Sequence, residues 1–265
     1  MATVKEVYRS IDEWAPFSTQ MDFDNSGFLV GRGNASVTKI LVALDITRTV
    51  IEEAEQVGAE LIVAHHPVIF RPLKSVTDGD LTGENVLLMA EKGISAICAH
   101  TNLDAAQGGV NCALARRLEL GGIDHLHPDG VDEQGRTYGI GRVGIAHEQG
   151  LCAGDYARFV KEKLGTSSVR FVDAGKPVCK VAVGGGSCAD MMVDALKLGC
   201  DTFVTADVKY NFYLEAAQLG INLMDAGHYA TENTVCAPMV DYLKEQFPGV
   251  TVLLSEKHVE AYSGV

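Results

Sequence analysis

Two adjacent imidazoles, His65 and His66, stand where the apolar run Leu61–Ala64 meets Pro67 in the segment LIVAHHPVIF. Such a run reads as a buried strand, so the pair belongs at a strand's carboxyl end. In open α/β sheets that edge is where ligands collect, and imidazole is the commonest transition-metal ligand. Successive strand side chains point to opposite faces. Both rings therefore serve one site only if the strand ends there and the chain twists, as Pro67 permits; otherwise one ring binds and the other packs. Two further segments end in the same way. GISAICAHTNLDAA carries an apolar stretch into His100 and then Asp104, and GINLMDAGHYATE carries one into His228 and then Glu232. If a helix begins at or soon after each histidine, the His-x-x-x-acid spacing brings the acid onto the same helical face. In a loop the spacing means little, and one such motif alone is commonly a surface pair or a helix cap. Three strand-end clusters of histidine and carboxylate in one chain point to a metal centre.

These groups need a scaffold, and the composition bounds it. The chain has 265 residues, 47% hydrophobic and 22% charged, which suits a globular protein of two modest domains or one large one. It contains no stretch near the roughly 20 apolar residues of a membrane span. The opening MATVKEVYRSIDEWAP has charges where a signal peptide needs its apolar core, so the expected compartment is cytoplasmic. Seven cysteines without a C-x-x-C pair fit reduced thiols. Cys98 or Cys236 could act as a nucleophile only with a histidine near it in space, and either also fits as buried filler. The net charge is -13, with no basic run beyond Arg116-Arg117, which argues against a nucleic-acid reader. An oligomer could still gather scattered lysines into one patch.

The positioning elements occur twice. The segment from Lys39 to His66 aligns without gaps on the segment from Lys180 to Asp207, pairing Val42 with Val183, Ala54 with Ala195, Gly58 with Gly199 and Val63 with Val204 as identities. Both read strand, amphipathic helix ending at glycine, strand: a β-α-β unit with parallel strands. Two similar α/β domains related by internal duplication follow, with parallel or mixed sheets, spanning residues 1–127 and 128–265, the C-terminal segment being able to join the first. Any two β-α-β units look somewhat alike, so similar folds follow with or without common descent. Helices are expected over 3–14, 49–57, 85–92, 110–118, 155–164, 190–198, 212–219 and 235–247. Residues 128–139 read as a linker or exposed loop, and 140–146 as a strand. GGGS at 184–187 reads as a tight turn or, alternatively, as a phosphate-holding turn at a helix start.

Taken together, DNSGFLVG (from Asp24), LDIT (from Leu44), AHHPVIF, HTNLDAAQGGVN, YGIGRVG, FVTADVKY and AGHYATE resemble the NIF-three-like family, whose bacterial members include GTP cyclohydrolase 1 type 2 homologues. The resemblance implies two similar α/β domains around a dinuclear metal site, assembled as a hexamer. It implies metal ligands at His65, His66, Asp104, His228 and Glu232: His66 and Asp104 on one ion, His65 and His228 on the other, Glu232 bridging. His100 is expected to orient Asp104 or lie just behind the ligands. Three imidazoles and two carboxylates suit Zn, Mn, Fe, Co or Ni better than Ca or Mg. Five ligands leave open positions on two ions, where water can be activated. Two departures stand out. The span from Val143 to Lys180 leaves no room for the inserted third domain of longer members, and Asn211 follows Asp207 where the family often has a histidine. Asp207 remains a candidate general base or supporting group, or a helix cap.

The expectation is a metal-dependent hydrolase acting on an unknown small molecule, a nucleotide or phosphoester in particular, with GTP cyclohydrolase activity resting on the resemblance alone. No organic cofactor is expected. A triphosphate would need several cations, and only Arg71, Lys74 and Lys209 lie near the motifs. The alternative is a non-catalytic, ring-shaped metal-binding scaffold or regulatory partner.

Overall fold

A computed structural model describes residues 2–263. Contacts divide the chain into two compact units, Met1–Leu103 with Cys236–Val259 and Asp104–Val235 with Glu260–Val265. The division expected at residue 127 falls inside the second unit, because the segment before it already packs against that unit's sheet. The segment Cys236–Val259 returns to the first unit.

The first unit begins with β1 (Ala2–Thr3) and α1 (Val4–Trp14), whose N-cap Thr3 and Glu6 form a reciprocal capping box. The chain continues through β2 (Gly27–Val30), β3 (Ser36–Val37), β4 (Lys39–Ala43), α2 (Arg48–Val57), β5 (Leu61–Ala64), α3 (Leu81–Lys92), β6 (Ser95–Cys98) and α4 (Thr101–Ala105), within which the unit boundary falls. Thr47 caps the start of α2 and Gly58, at φ 70°, ends it in the left-handed conformation that glycine adopts without strain. Helix α3 begins earlier than expected because Asp80 caps it, accepting from the Gly83 N–H at 2.9 Å. After α10 (Cys236–Gln246), the last strand, β15 (Thr251–Leu254), completes a five-stranded sheet in the order β15-β4-β5-β6-β2, parallel except for β2. All residues of β5 and β6 are buried. That burial explains their continuous apolar runs. Leu41, Ala43, Ile62, Ala64, Ala96 and Cys98 pack on one face with residues of α2 and α3.

The second unit contains α5 (Val110–Arg117), β7 (Gly121–His125), β8 (Gly130–Val131), β9 (Thr137–Tyr138), β10 (Arg142–Ile145), α6 (Ala153–Leu164), β11 (Arg170–Val172), β12 (Lys180–Val183), α7 (Met192–Lys197), β13 (Thr202–Thr205), α8 (Tyr210–Leu219), β14 (Asn222–Asp225) and α9 (His228–Glu232). Its six-stranded sheet runs β11-β14-β13-β12-β10-β7, with β12, β13 and β14 parallel and the other pairings antiparallel. Val181, Val183, Val204 and Met224 pack with α5 and α6 on one face; Ala182, Phe203 and Leu223 pack with α7 and α8 on the other. Three parallel strands joined by helices thus occur in the same order in each unit, β4-β5-β6 and β12-β13-β14. This repetition is consistent with a duplicated architecture.

Two local expectations change. Residues 128–139 hold the small antiparallel pair β8 and β9, closed by Asp132, whose carboxylate accepts from the backbone N–H of Gln134 and Arg136 and from Arg136 Nε. The helix expected over 190–198 opens as a 3-10 turn, Ala189–Met191, and only then becomes α7. The Cys188 N–H is held by Thr205 Oγ1 at 3.1 Å, which ties the start of this segment to the end of β13.

Arg142, on β10, is 1% exposed and has no carboxylate among its bonded partners. Its Nη1 donates to the carbonyls of Gly139 and Gly141, its Nη2 to those of Ala105 and Ala106, and its Nε to Cys112 Sγ. Every N–H of the guanidinium is therefore used. The two alanine carbonyls lie at the end of α4, directly after Asp104. Arg142→Met would leave these acceptors buried and unpaired, at a cost of about 3 kcal/mol or more in unfolding free energy. Urea denaturation would measure this, and a change below about 1 kcal/mol would contradict it.

Candidate metal centre

In the first unit, β5 delivers the histidine pair. The His65 N–H donates to Ala43 O at 3.4 Å and the His66 N–H to Leu44 O at 2.9 Å. In a regular parallel ladder only every second residue would bond to the same neighbour, so the pleat breaks at His65. The two rings consequently lie side by side, with centroids 5.0 Å apart. His100, at the end of β6, brings its ring to 5.1 Å from His65 and 5.6 Å from His66. Ligand atoms of His65, His66 and His100 all lie within 4.8 Å of one another.

Oxygen acceptors hold these rings. His65 Nδ1 donates to Ala99 O at 2.8 Å, His66 Nδ1 to Asp45 Oδ1 at 2.7 Å and His100 Nδ1 to Asp24 Oδ1 at 2.8 Å. Asp24 also accepts from Ser26 Oγ, from Thr101 Oγ1 and from the backbone N–H of Asn25 and Thr101. Burial pushes its carboxyl up, but the bonds from His100 and Thr101, the His100 charge and the Ser26 bond outweigh this and hold it well below the ordinary carboxylate range. The same carboxylate anchors the start of α4, the single turn that carries Asp104.

In the second unit, α9 begins at His228 and places Glu232 one turn on. His228 Nε2 stands 2.9 Å from Glu232 Oε2, the separation of about 3 Å expected for two donors on one ion. The remaining nitrogen, Nδ1, donates to Asp207 Oδ2 at 2.7 Å. An oxygen of Asp104 lies within 4.8 Å of one of Glu232. Asp207, at φ 50°, thus orients an imidazole. It is not the cap of α8, a position held by Lys209, and Asn211 is exposed in that helix's first turn.

Two glycines of the GGGS segment, Gly185 and Gly186, make room for Glu232. A Cβ on Gly186, whose φ is 64°, would stand 2.1 Å from Glu232 Oε1, and one on Gly185 would stand 2.9 Å from Val110 Cγ1 and 3.3 Å from Glu232 Cγ. The turn is a cradle for a carboxylate, and the 3-10 turn that follows offers no phosphate-binding helix terminus. Asn111, fully buried, ties the cradle to the other acid: its Oδ1 accepts from the Gly185 N–H at 2.8 Å and its Nδ2 donates to Asp104 O at 3.0 Å.

This chemistry fits transition-metal ions. Carbonyl and carboxylate oxygens only accept, so the four Nδ1 atoms carry protons, and whenever such a ring is neutral its lone pair lies on Nε2. Such a histidine is prepared as a ligand, with an outer partner fixing its tautomer and orientation. Asp24 and Asp45 are partners that the sequence reading did not assign, although both lie in motifs it singled out, DNSGFLVG and LDIT. Neither cysteine candidate suits nucleophilic chemistry. Burial pushes the Cys98 thiol up to about 12, and Cys236 is 1% exposed.

The fold and donor groups describe an α/β protein with clusters of metal-ligating side chains. The chain belongs to the Duf34/NIF3 (NGG1p interacting factor 3) family, which it matches over residues 2–260. It is 33% identical over 244 residues to a GTP cyclohydrolase 1 type 2 homolog of Clostridium perfringens, covering 92% of each chain. It is 34% identical over 232 residues to the GTP cyclohydrolase 1 type 2 of Helicobacter pylori, covering 88% of each. Among solved structures, a Staphylococcus aureus protein superposes with a TM-score of 0.91 at 26% identity, covering 100% of this chain and 99% of that one. A Bacillus cereus protein related to NIF3 superposes with a TM-score of 0.93 at 24% identity, which speaks to fold alone.

Two substitutions probe these supports. Asp45→Asn should weaken metal binding roughly 10- to 100-fold by removing the charged partner of His66. Gly186→Ala should displace Glu232 and lower retained metal at least as far. Competition with a chromophoric chelator reads both, and affinities equal to the parent protein would contradict the assigned supports.

Proposed function

We propose that His65, His66, Asp104, His228 and Glu232 hold two divalent transition-metal ions, Zn, Mn, Fe, Co or Ni, and that the protein is a metal-dependent hydrolase. The observation that carries this reading is the set of histidines whose Nδ1–H groups are all tied to oxygens. When bound, the ions would supply Lewis acidity and an activated water at near-neutral pH. The chain's own groups do the rest. Asp45 and Asp207 hold protons on His66 and His228, Asp24 fixes His100 behind or beside the ligands, and the Gly185-Gly186 cradle keeps Glu232 in place.

The substrate class proposed is a nucleotide or another phosphoester. The name of the Helicobacter pylori relative favours a guanine nucleotide, whose ring would be opened by water attack at C8. The assembly proposed is a homo-oligomer, a hexamer by family resemblance, with each chain carrying two α/β halves derived from one ancestral unit. Among the described residues no helix is long and apolar enough to cross a membrane.

Elemental analysis of protein purified without chelators, followed by a substrate screen with the identified metal, tests the reading. About two equivalents of transition metal per chain and turnover of at least one nucleotide or phosphoester are expected. Glu232→Ala should abolish that turnover, by 100-fold or more on the order of magnitude of losing metal-assisted catalysis, while leaving the oligomer intact. Loss of thermal stability or assembly on metal removal, with no substrate turned over, would instead make the chain a metal-binding scaffold.

A further inference from the structure

The loop after His66 brings a second kind of chemistry to the histidines of the first unit. Phe70, in that loop, and Phe23, ahead of β2, meet edge to face with centroids 6.5 Å apart and planes at 65°. Both are open to solvent, 43% and 64% exposed. They flank the imidazoles. The Phe70 ring centroid is 6.1 Å from that of His100, at 85°, and Phe23 immediately precedes Asp24, the acceptor for His100 Nδ1. Beyond Phe70 the same loop lines a cleft of about 540 Å³, whose wall includes Pro67, Arg71, Leu73, Lys74 and Asp80. Arg71 and Lys74 are exposed, and among the described residues neither is paired with a carboxylate. The one acid in the wall, Asp80, is engaged as the cap of α3.

We propose that this corner binds a phosphorylated planar heterocycle, with its ring against Phe23 and Phe70 and its phosphate toward Arg71 and Lys74. The proposal deepens the hydrolase reading and rests on it for the identity of the neighbouring site. Edge-to-face phenyl rings leave open faces on which a flat ring can stack, and exposed aromatic side chains beside a polar cluster mark a binding surface. An anion approaching a chain of net charge -13 is repelled overall, so its affinity must come from local cations. Arginine and lysine are the side chains that grip phosphate. The cleft volume falls within the range of roughly 300–1,000 Å³ typical for small-molecule sites.

Calorimetric titration of the full-length, metal-loaded protein with guanosine 5′-monophosphate and with guanosine tests this directly. The nucleotide should bind the parent protein. Phe23→Ala and Phe70→Leu should each weaken both ligands roughly five- to hundredfold, the range for losing one base–aromatic stack. Arg71→Gln and Lys74→Gln should weaken the nucleotide and leave guanosine unchanged. Metal content should stay at the parent value in all four variants. No binding to the parent protein, or equal binding by parent and variants, would overturn the proposal. So would an altered oligomer mass in Phe23→Ala with nucleotide affinity unchanged, which would assign the ring pair to a subunit contact. Binding that follows the predicted pattern without turnover of any nucleotide or other phosphoester would sink the hydrolase reading and leave this site standing.

Discussion

The hydrogen bond from a histidine Nδ1 to an oxygen that can only accept is the interaction on which the rest of the site depends. It occurs four times, to Ala99 O, Asp45, Asp24 and Asp207. Each bond selects one tautomer and one ring orientation, and so decides which nitrogen is free to act as a donor. Without these acceptors the same histidines would turn in their sockets and present either nitrogen. Three of the four acceptors are carboxylates.

The fold supplies these partners by ending strands in register. His65 and His66 follow β5, Asp45 lies just past the neighbouring β4, and Ala99 and His100 follow β6 on the other side. Parallel strands stop at one edge, so residues far apart in sequence meet there without a dedicated loop. In the second unit the same logic puts Asp207 after β13 and His228 after β14. Buried polar groups fix what the strands leave loose. Asp24 anchors the start of α4, the Arg142 guanidinium holds its end through Ala105 and Ala106, and Asn111 ties Asp104 to the glycine turn beside Glu232. A charged guanidinium is costly to bury, and it is tolerated because all its protons find acceptors.

Much of this was legible in the sequence, for identifiable reasons. Continuous apolar runs closed by His-Pro or His-Thr mark buried strands with chemistry at their ends, and the His-x-x-x-acid spacing anticipates the turn in which α9 sets His228 against Glu232. The roles of Asp24 and Asp45 were not legible. Asp24 meets His100 across a long stretch of chain, and no periodicity encodes such a pairing. The purpose of GGGS was equally hidden, because a glycine needed for a close approach cannot be told from one needed for a turn until the approaching group is known. The two compact units divide within α4, where composition does not change, and the polar segment 128–139 that suggested a linker or exposed loop holds a small hairpin.

Long-range proton–nitrogen NMR correlation of the imidazoles, recorded on metal-free and zinc-loaded protein, tests the central claim most directly. The account predicts that His65, His66 and His228 are protonated at Nδ1 in both states and that zinc shifts their Nε2 resonances far more than their Nδ1 resonances. Protonation at Nε2 in the metal-free protein, or imidazole resonances indifferent to zinc, would contradict it.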